Sequence, residues 1–191
     1  LATPGLRGLL GIDMAVAAAA SLVLVNTVVY VQGHFGLNQS ATALALACFG
    51  AGSMFAALGL PRVLARVADR TVMLGGAGLL CAGACMAIWV PSYGWLLPLW
   101  GMLGIGYSVA LTPSGRLLRR SGTPEERPAL FAAQFSLSHL CWLLAYPLAG
   151  RMGAAFGLPA AALCLSILAT LAPGLARPLW PAPHERTPPP P

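Results

Sequence analysis

The sequence predicts an all-α integral membrane protein with six transmembrane helices, on the strength of its composition, its charge-free runs and its arginine placement. Of 191 residues, 58% are apolar and 8% charged, with a mean hydropathy of +0.76. Soluble domains carry roughly 25% charged residues, so a water-soluble globule is excluded. Residues 14–61, 71–115, 128–150 and 152–176 contain no Asp, Glu, Lys or Arg. A membrane helix needs about 20 apolar residues. The first two runs, 48 and 45 residues long, therefore hold two spans each, and the last two, of 23 and 25, hold one each. Barrel strands would alternate over roughly 10 residues, which these continuous runs do not. The net charge of +6 comes from arginines placed beside membrane ends. Lipid is thus the expected partner, and nucleic acid is not.

Turn chemistry divides the long runs. Gly33, Gly36, Asn38 and Ser40 interrupt the first, with Ser40 placed to cap the next helix, and Pro91-Ser92-Tyr93-Gly94 splits the second. The expected spans are 13–32, 41–60, 72–90, 95–114, 129–149 and 157–175, following a lead-in at 1–12. A Pro-rich tail at 177–191 offers little to bury and reads as disordered. Thr123-Pro124-Glu125-Glu126 has the form of a capping box, after which either a single turn forms or the fifth span begins afresh near Pro128. The chain opens on Leu1, which reads as a piece of a longer protein.

Arginine is retained on the cytoplasmic side. Six crossings put Arg7, Arg62, Arg66, Arg70, Arg116, Arg119, Arg120, Arg127, Arg177 and Arg186 on one side and Arg151 alone on the other. Both termini are then cytoplasmic. The first and last three spans run oppositely through the membrane, a 3+3 inverted repeat of the kind that builds each half of many secondary transporters.

The polar residues within the spans are the candidate site. At 100° per residue, Gln134, Ser138, Trp142, Phe135, Tyr146 and His139 of the fifth span share an arc of about 140°. Lipid cannot satisfy an amide or imidazole, so this face is expected to look into the bundle or a water-filled cavity. His139, at mid-span, either carries protons or is a neutral hydrogen-bonded histidine. Asn26 and Thr27 either line a cavity or bridge helices. On the fourth span Gly101, Gly104 and Gly106 allow close helix approach, with Tyr107 and Ser108 following. Asp13 falls at a span margin and no span interior holds an acid, so proton coupling would fall to His139 or to residues elsewhere. Arg62, Arg66 and Arg70, at i, i+4 and i+8, form one basic helical stripe, read either as headgroup anchors or, with Asp69, as a latch meeting a helix N-terminus and arginines of a neighbouring helix.

Ala65-Arg66-Val67-Ala68-Asp69-Arg70, between the second and third spans, resembles the signature loop of the major facilitator superfamily, Gly-x-x-x-Asp-Arg, with Ala65 where Gly is expected. The stretch from Arg127 through His139 to Tyr146-Pro147-Leu148-Ala149-Gly150 is similar to the eleventh helix of bacterial members. The resemblance implies the carboxy-terminal half of a twelve-helix fold in a bacterial inner membrane. It also implies alternating access to a small-molecule substrate, such as a drug or metabolite for efflux, together with an amino-terminal six-helix half. Arg66, Asp69 and Arg70 become gating-loop residues. Asn26, Thr27, Tyr107, Ser108, Gln134, Ser138, His139 and Trp142 become substrate-pathway candidates.

The competing classes are a stand-alone six-span channel or assembly subunit, and an intramembrane serine protease built on Ser114 and His139. About half a bilayer separates those two residues in the expected spans, which argues against an enzyme. Cys81 and Cys85 share a face but lack further ligands, and no metal or cofactor is expected. The remaining cysteines suit small-residue packing.

Overall fold

The computed structural model describes residues 4–176, so the expected disordered tail at 177–191 lies outside the described residues. Among them every regular element is helical, with α1 Pro4–Val28 continuing as a π-helical turn Val29–His34. There follow α2 Gln39–Leu64, α3 Asp69–Met86, α4 Tyr93–Leu111, α5 Ser114–Arg120, α6 Arg127–Phe156 and α7 Leu158–Ala176. Among the described residues five segments are long and apolar enough to cross a membrane: Gly8–His34, Gln39–Leu64, Tyr93–Arg120, Arg127–Phe156 and Leu158–Leu175. The expected third span falls short of them, because α3 opens on Asp69 and Arg70 and stops at Met86 after 18 residues.

Several boundaries differ from expectation for local reasons. α1 begins at Pro4 rather than 13, since Leu, Ala and Met around Asp13 are strong helix formers and one acid does not end a helix. Asn38, not Ser40, caps α2, its side-chain oxygen accepting from the Ala41 N–H at 3.0 Å. The basic stripe is broken: Arg62 ends α2, Arg66 sits in the turn and Arg70 opens α3. α5 is an added short helix beyond the fourth span. α6 begins afresh at Arg127, after a turn in which Glu126 Oε2 accepts from the Thr123 N–H at 3.0 Å. It then runs through Arg151 to Phe156. Thirty residues give about 45 Å of helix, well over a hydrocarbon core of about 30 Å, so the expected turn at 150–157 shrinks to Gly157, whose φ of 84° is left-handed.

α1 is the centre of the bundle. Leu9, Ile12, Leu22 and Val23 along it are fully buried, and α3, α4, α6 and α7 pack around it. α2 lies along α4 in the same direction: Tyr93 Oη near the start of α4 donates to the Ala41 carbonyl at 2.8 Å, and Arg116 beyond its end reaches the Leu64 carbonyl at 3.5 Å. Where these two helices cross, a Cβ on Gly52 would overlap the Gly101 carbonyl and one on Gly104 the Phe49 carbonyl. The expected close approach of the fourth-span glycines is therefore present at backbone contact. α2 and α6 flank the bundle with much of their apolar surface outward, including Phe55, Leu58, Leu143 and Leu144.

Candidate functional site

Polar side chains inside the bundle collect on α1 and its neighbours. Thr27, fully buried, returns its hydroxyl hydrogen to the Val23 carbonyl and accepts from Trp100 Nε1 of α4 at 2.7 Å. Tyr30, on the π-helical turn, meets the Trp100 ring edge-on at 5.6 Å and donates to the Ala87 carbonyl at 2.5 Å. These contacts resolve the choice at Thr27: it bridges α1 to α4. Asn26, 1% exposed, lies against Gly153 of α6, where an added Cβ would stand 2.6 Å from its side-chain oxygen. Its Nδ2 is buried without a hydrogen-bond partner.

Asp13 is the largest departure from expectation. It sits in the third turn of α1, 4% exposed, and accepts a hydrogen bond from Gln134 Nε2 of α6. The acid set aside as marginal is inside the helix packing. What hid it is that charge-free counting places every charged residue at a boundary.

On α6 the inward face is defined by Gln134, Cys141, Ala145 and Ala149. The expected polar arc straddles its edge. Gln134 is inward, Ser138 and Trp142 are half-buried, and Phe135, His139 and Tyr146 are exposed on the surface of these helices. The His139 Nδ1 lies 2.7 Å from the Phe135 carbonyl, and its ring is 3.9 Å from that of Phe135. Trp142 and Tyr146 continue the aromatic surface with centroids 5.1 Å apart. On α4, Ser108 is buried, while Tyr107 is half-buried and meets Phe49 of α2 edge-on at 5.6 Å.

At the end where α2 turns into α3, Asp69 is the first residue of α3, 8% exposed. Its carboxylate benefits from the positive end of that helix and pairs with two arginines of α5, Arg116 Nε at 3.6 Å and Arg120 Nη1 at 3.3 Å. The expected latch geometry, a loop acid meeting arginines of a neighbouring helix, is thus present. The sequence left its partners unnamed, although their spacing of four residues on a short helix was a usable signal. Arg66 is exposed in the turn and Arg70 is half-buried.

Ser114 and His139 are not brought together as a hydrolytic pair: the Ser114 hydroxyl donates to the Leu111 carbonyl at 2.6 Å, and His139 is turned to its own helix. Cys81 donates to the Ala169 carbonyl of α7 at 2.9 Å and Cys85 is exposed. Among the described residues no three His, Cys, Asp or Glu side chains converge to hold a metal ion. The arrangement suits a helical bundle with buried polar bridges and one charged joint. Compared with known families, residues 10–191 match the model of the Major Facilitator Superfamily. No curated protein matches the chain.

Proposed function

The chain belongs to the major facilitator superfamily, and from that premise we propose that α1–α7 form the carboxy-terminal half of a secondary active transporter that moves a small solute by alternating access. The protein is an integral membrane transporter of that superfamily. In this reading it lies in a bacterial inner membrane with both termini cytoplasmic and exports a drug or metabolite. The observation that carries the reading is the Asp69 joint: a carboxylate in the signature-like loop, buried and held by Arg116 and Arg120, ties the α2–α3 turn to the α4–α5 arm and gives the cytoplasmic face one shape against which a second half can close.

Helix packing supports the six-span repeat. α2 lies along α4 as α6 lies along α1, α3 lies along α4 as α7 lies along α1, and α3 meets α7. Exchanging α1 with α4, α2 with α6 and α3 with α7 preserves those neighbours, as expected of a 3+3 inverted repeat. The exposed Phe135, His139 and Tyr146 edge of α6 supports the missing partner, because an imidazole facing lipid is costly.

The test uses cells producing the complete protein and the accumulation of ethidium, a small aromatic cation. Wild-type protein is expected to lower accumulation. Asp69→Asn is expected to raise it towards the level of cells lacking the protein, while Glu125→Gln, at an exposed loop acid, leaves it low at equal membrane abundance. Equal accumulation in the two variants would reduce the loop to a topology signal, and no effect of the wild type would remove export of such cations.

A further inference from the structure

We propose that Asp13 and Gln134 form a proton-binding site within the α1–α6 contact, so that the grip between these two helices follows the occupancy of one proton. The pair lies roughly 10–14 Å along each helix at 1.5 Å per residue, inside the packing rather than at its rim. Asp13 is 4% exposed, and Gln134 Nε2 is the donor on its carboxylate. Among the described residues no cation pairs with Asp13, whereas Asp69 pairs with two arginines.

The second observation is on the other side of the amide. Gln134 Oε1 is buried and has no hydrogen-bond partner. A carboxamide offers a donor and an acceptor at nearly the same place, so a half-turn of its terminal torsion exchanges them. With Asp13 ionised, the amide N–H group donates to the carboxylate, as observed. When Asp13 takes one proton from water, the carboxyl O–H donates to the turned Gln134 Oε1, and the amide NH2 moves to the position that Oε1 had occupied without a partner. The deprotonated state gives a charge-assisted bond, the stronger kind, and the protonated state a neutral one. One site therefore holds α1 and α6 together in both states with different strength.

The surroundings suit a proton better than a metal or an anion. Further along the same two helices Ala17, Cys141 and Ala145 form an apolar cluster with Leu10, Met14 and Trp142. On α6, Cys141 follows Gln134 by about two turns, His139 and Tyr146 are exposed, and Arg127 lies about 10 Å earlier along the helix. α7 offers Cys164. α4 offers Tyr93 and Tyr107. α3 offers Asp69, Arg70, Cys81 and Cys85, and α2 offers Cys48 and Arg62. None of these is a partner of Asp13, and on α1 itself Arg7 stands six residues before it. Use of the site to drive transport rests on the transporter reading; the binding of the proton does not.

The test is infrared difference spectroscopy of the complete protein in lipid nanodiscs between pH 4 and pH 9, with no substrate added. The wild type is expected to gain a protonated-carboxyl band as pH falls, which is absent from Asp13→Asn, an isosteric variant that keeps the amide contact. Carboxyl labelling of aspartate with carbon-13 in the wild type should move the same band, which assigns it to an aspartate, and its loss in Asp13→Asn assigns it to Asp13. Gln134→Leu should shift it to higher wavenumber, because the carboxyl loses its partner. A wild-type spectrum without a labelled aspartate band, identical bands in wild type and Asp13→Asn, or a band unmoved in Gln134→Leu would each overturn the proposal. Because no transport enters, such a failure leaves the transporter reading standing, and failure of dye export leaves this measurement intact.

Discussion

Two parallel helix pairs hold the bundle by opposite means. α2 and α4 cross at glycines, with backbone against backbone and nothing between Gly52 and Gly101 or between Gly104 and Phe49. α1 and α6 meet through side chains: the Asp13–Gln134 bond, the Ala17, Cys141 and Ala145 cluster, and Asn26 against Gly153. Small residues at a crossing allow van der Waals packing over the whole contact, which substitutes inside a membrane for the absent hydrophobic drive. Such a crossing has one closed geometry. A contact built from an amide and a carboxyl has at least two, since its donors and acceptors can be rearranged without separating the helices. The difference teaches where movement should be cheap: on these contacts adjustment is expected at the seam between α1 and α6 before the crossing of α2 and α4.

The largest expected effect breaks the rigid pair. Gly104→Ala drives a Cβ into the Phe49 carbonyl, part of a helix backbone that cannot step aside. Overpacking of this kind costs about 1–3 kcal/mol and occasionally more, and the value here should be at or above the top of that range. Gly153→Ala sets its Cβ 2.6 Å from the side-chain oxygen of Asn26, the movable end of a side chain, so its cost should be clearly smaller. Thermal unfolding of the two variants in detergent decides. Equal losses would mean that the α1–α6 seam is as unyielding as the glycine crossing.

Much of the architecture was legible because lipid imposes a length and a polarity on every helix. The starts of α4 and α7 fell within two residues of expectation for that reason. Lengths failed where helices outrun the hydrocarbon, as α6 does through Arg151 to Phe156. The site was partly legible. Asp69 was found from its loop, and Gln134 from its place in an uncharged run. Asp13 was misplaced because hydropathy measures a side chain alone, whereas its burial depends on a Gln 121 residues away. Angular position on α6 grouped residues that share an arc but not an environment, since periodicity cannot tell which part of an arc meets a neighbour. The Trp100–Thr27 bond, spanning 73 residues, had no sequence signal beyond the wish of a buried indole N–H for an acceptor.

That bond allows the comparison to be sharpened at the centre of the bundle, where α1 touches the rigid pair. Trp100→Phe removes the donor and leaves most of the ring volume, so it isolates one interhelical hydrogen bond together with a small packing change. Such bonds average about 0.6 kcal/mol in membrane proteins. The loss should be near that value, because the Thr27 hydroxyl keeps the Val23 carbonyl as partner. Trp95→Phe, at a 61% exposed indole, provides the control and should be close to neutral. A loss several-fold greater than 0.6 kcal/mol in Trp100→Phe alone would make the α1–α4 contact, rather than the glycine crossing, the anchor of the bundle.

The smallest stability effect is expected at the outer edge of the movable seam. His139 is exposed on α6 and bonded to its own helix through the Phe135 carbonyl, so His139→Ala deletes no interhelical contact among the described residues. Exposed substitutions of that kind fall within about 0.5 kcal/mol, and the isolated unfolding temperature should barely move. The same position lies on the face of α6 that the proposed second half would cover. If a second half and a solute pathway lie there, His139→Ala changes ethidium export while abundance is preserved, and His139→Gln, which keeps hydrogen-bonding capacity, restores part of it. If instead the α1–α6 seam carries the proton, His139→Gln leaves the pH profile as it was, and the dependence is lost in Asp13→Asn. Measured side by side at equal abundance, the two variants separate a side chain that meets the solute from one that holds the proton, a choice that stability measurements cannot make.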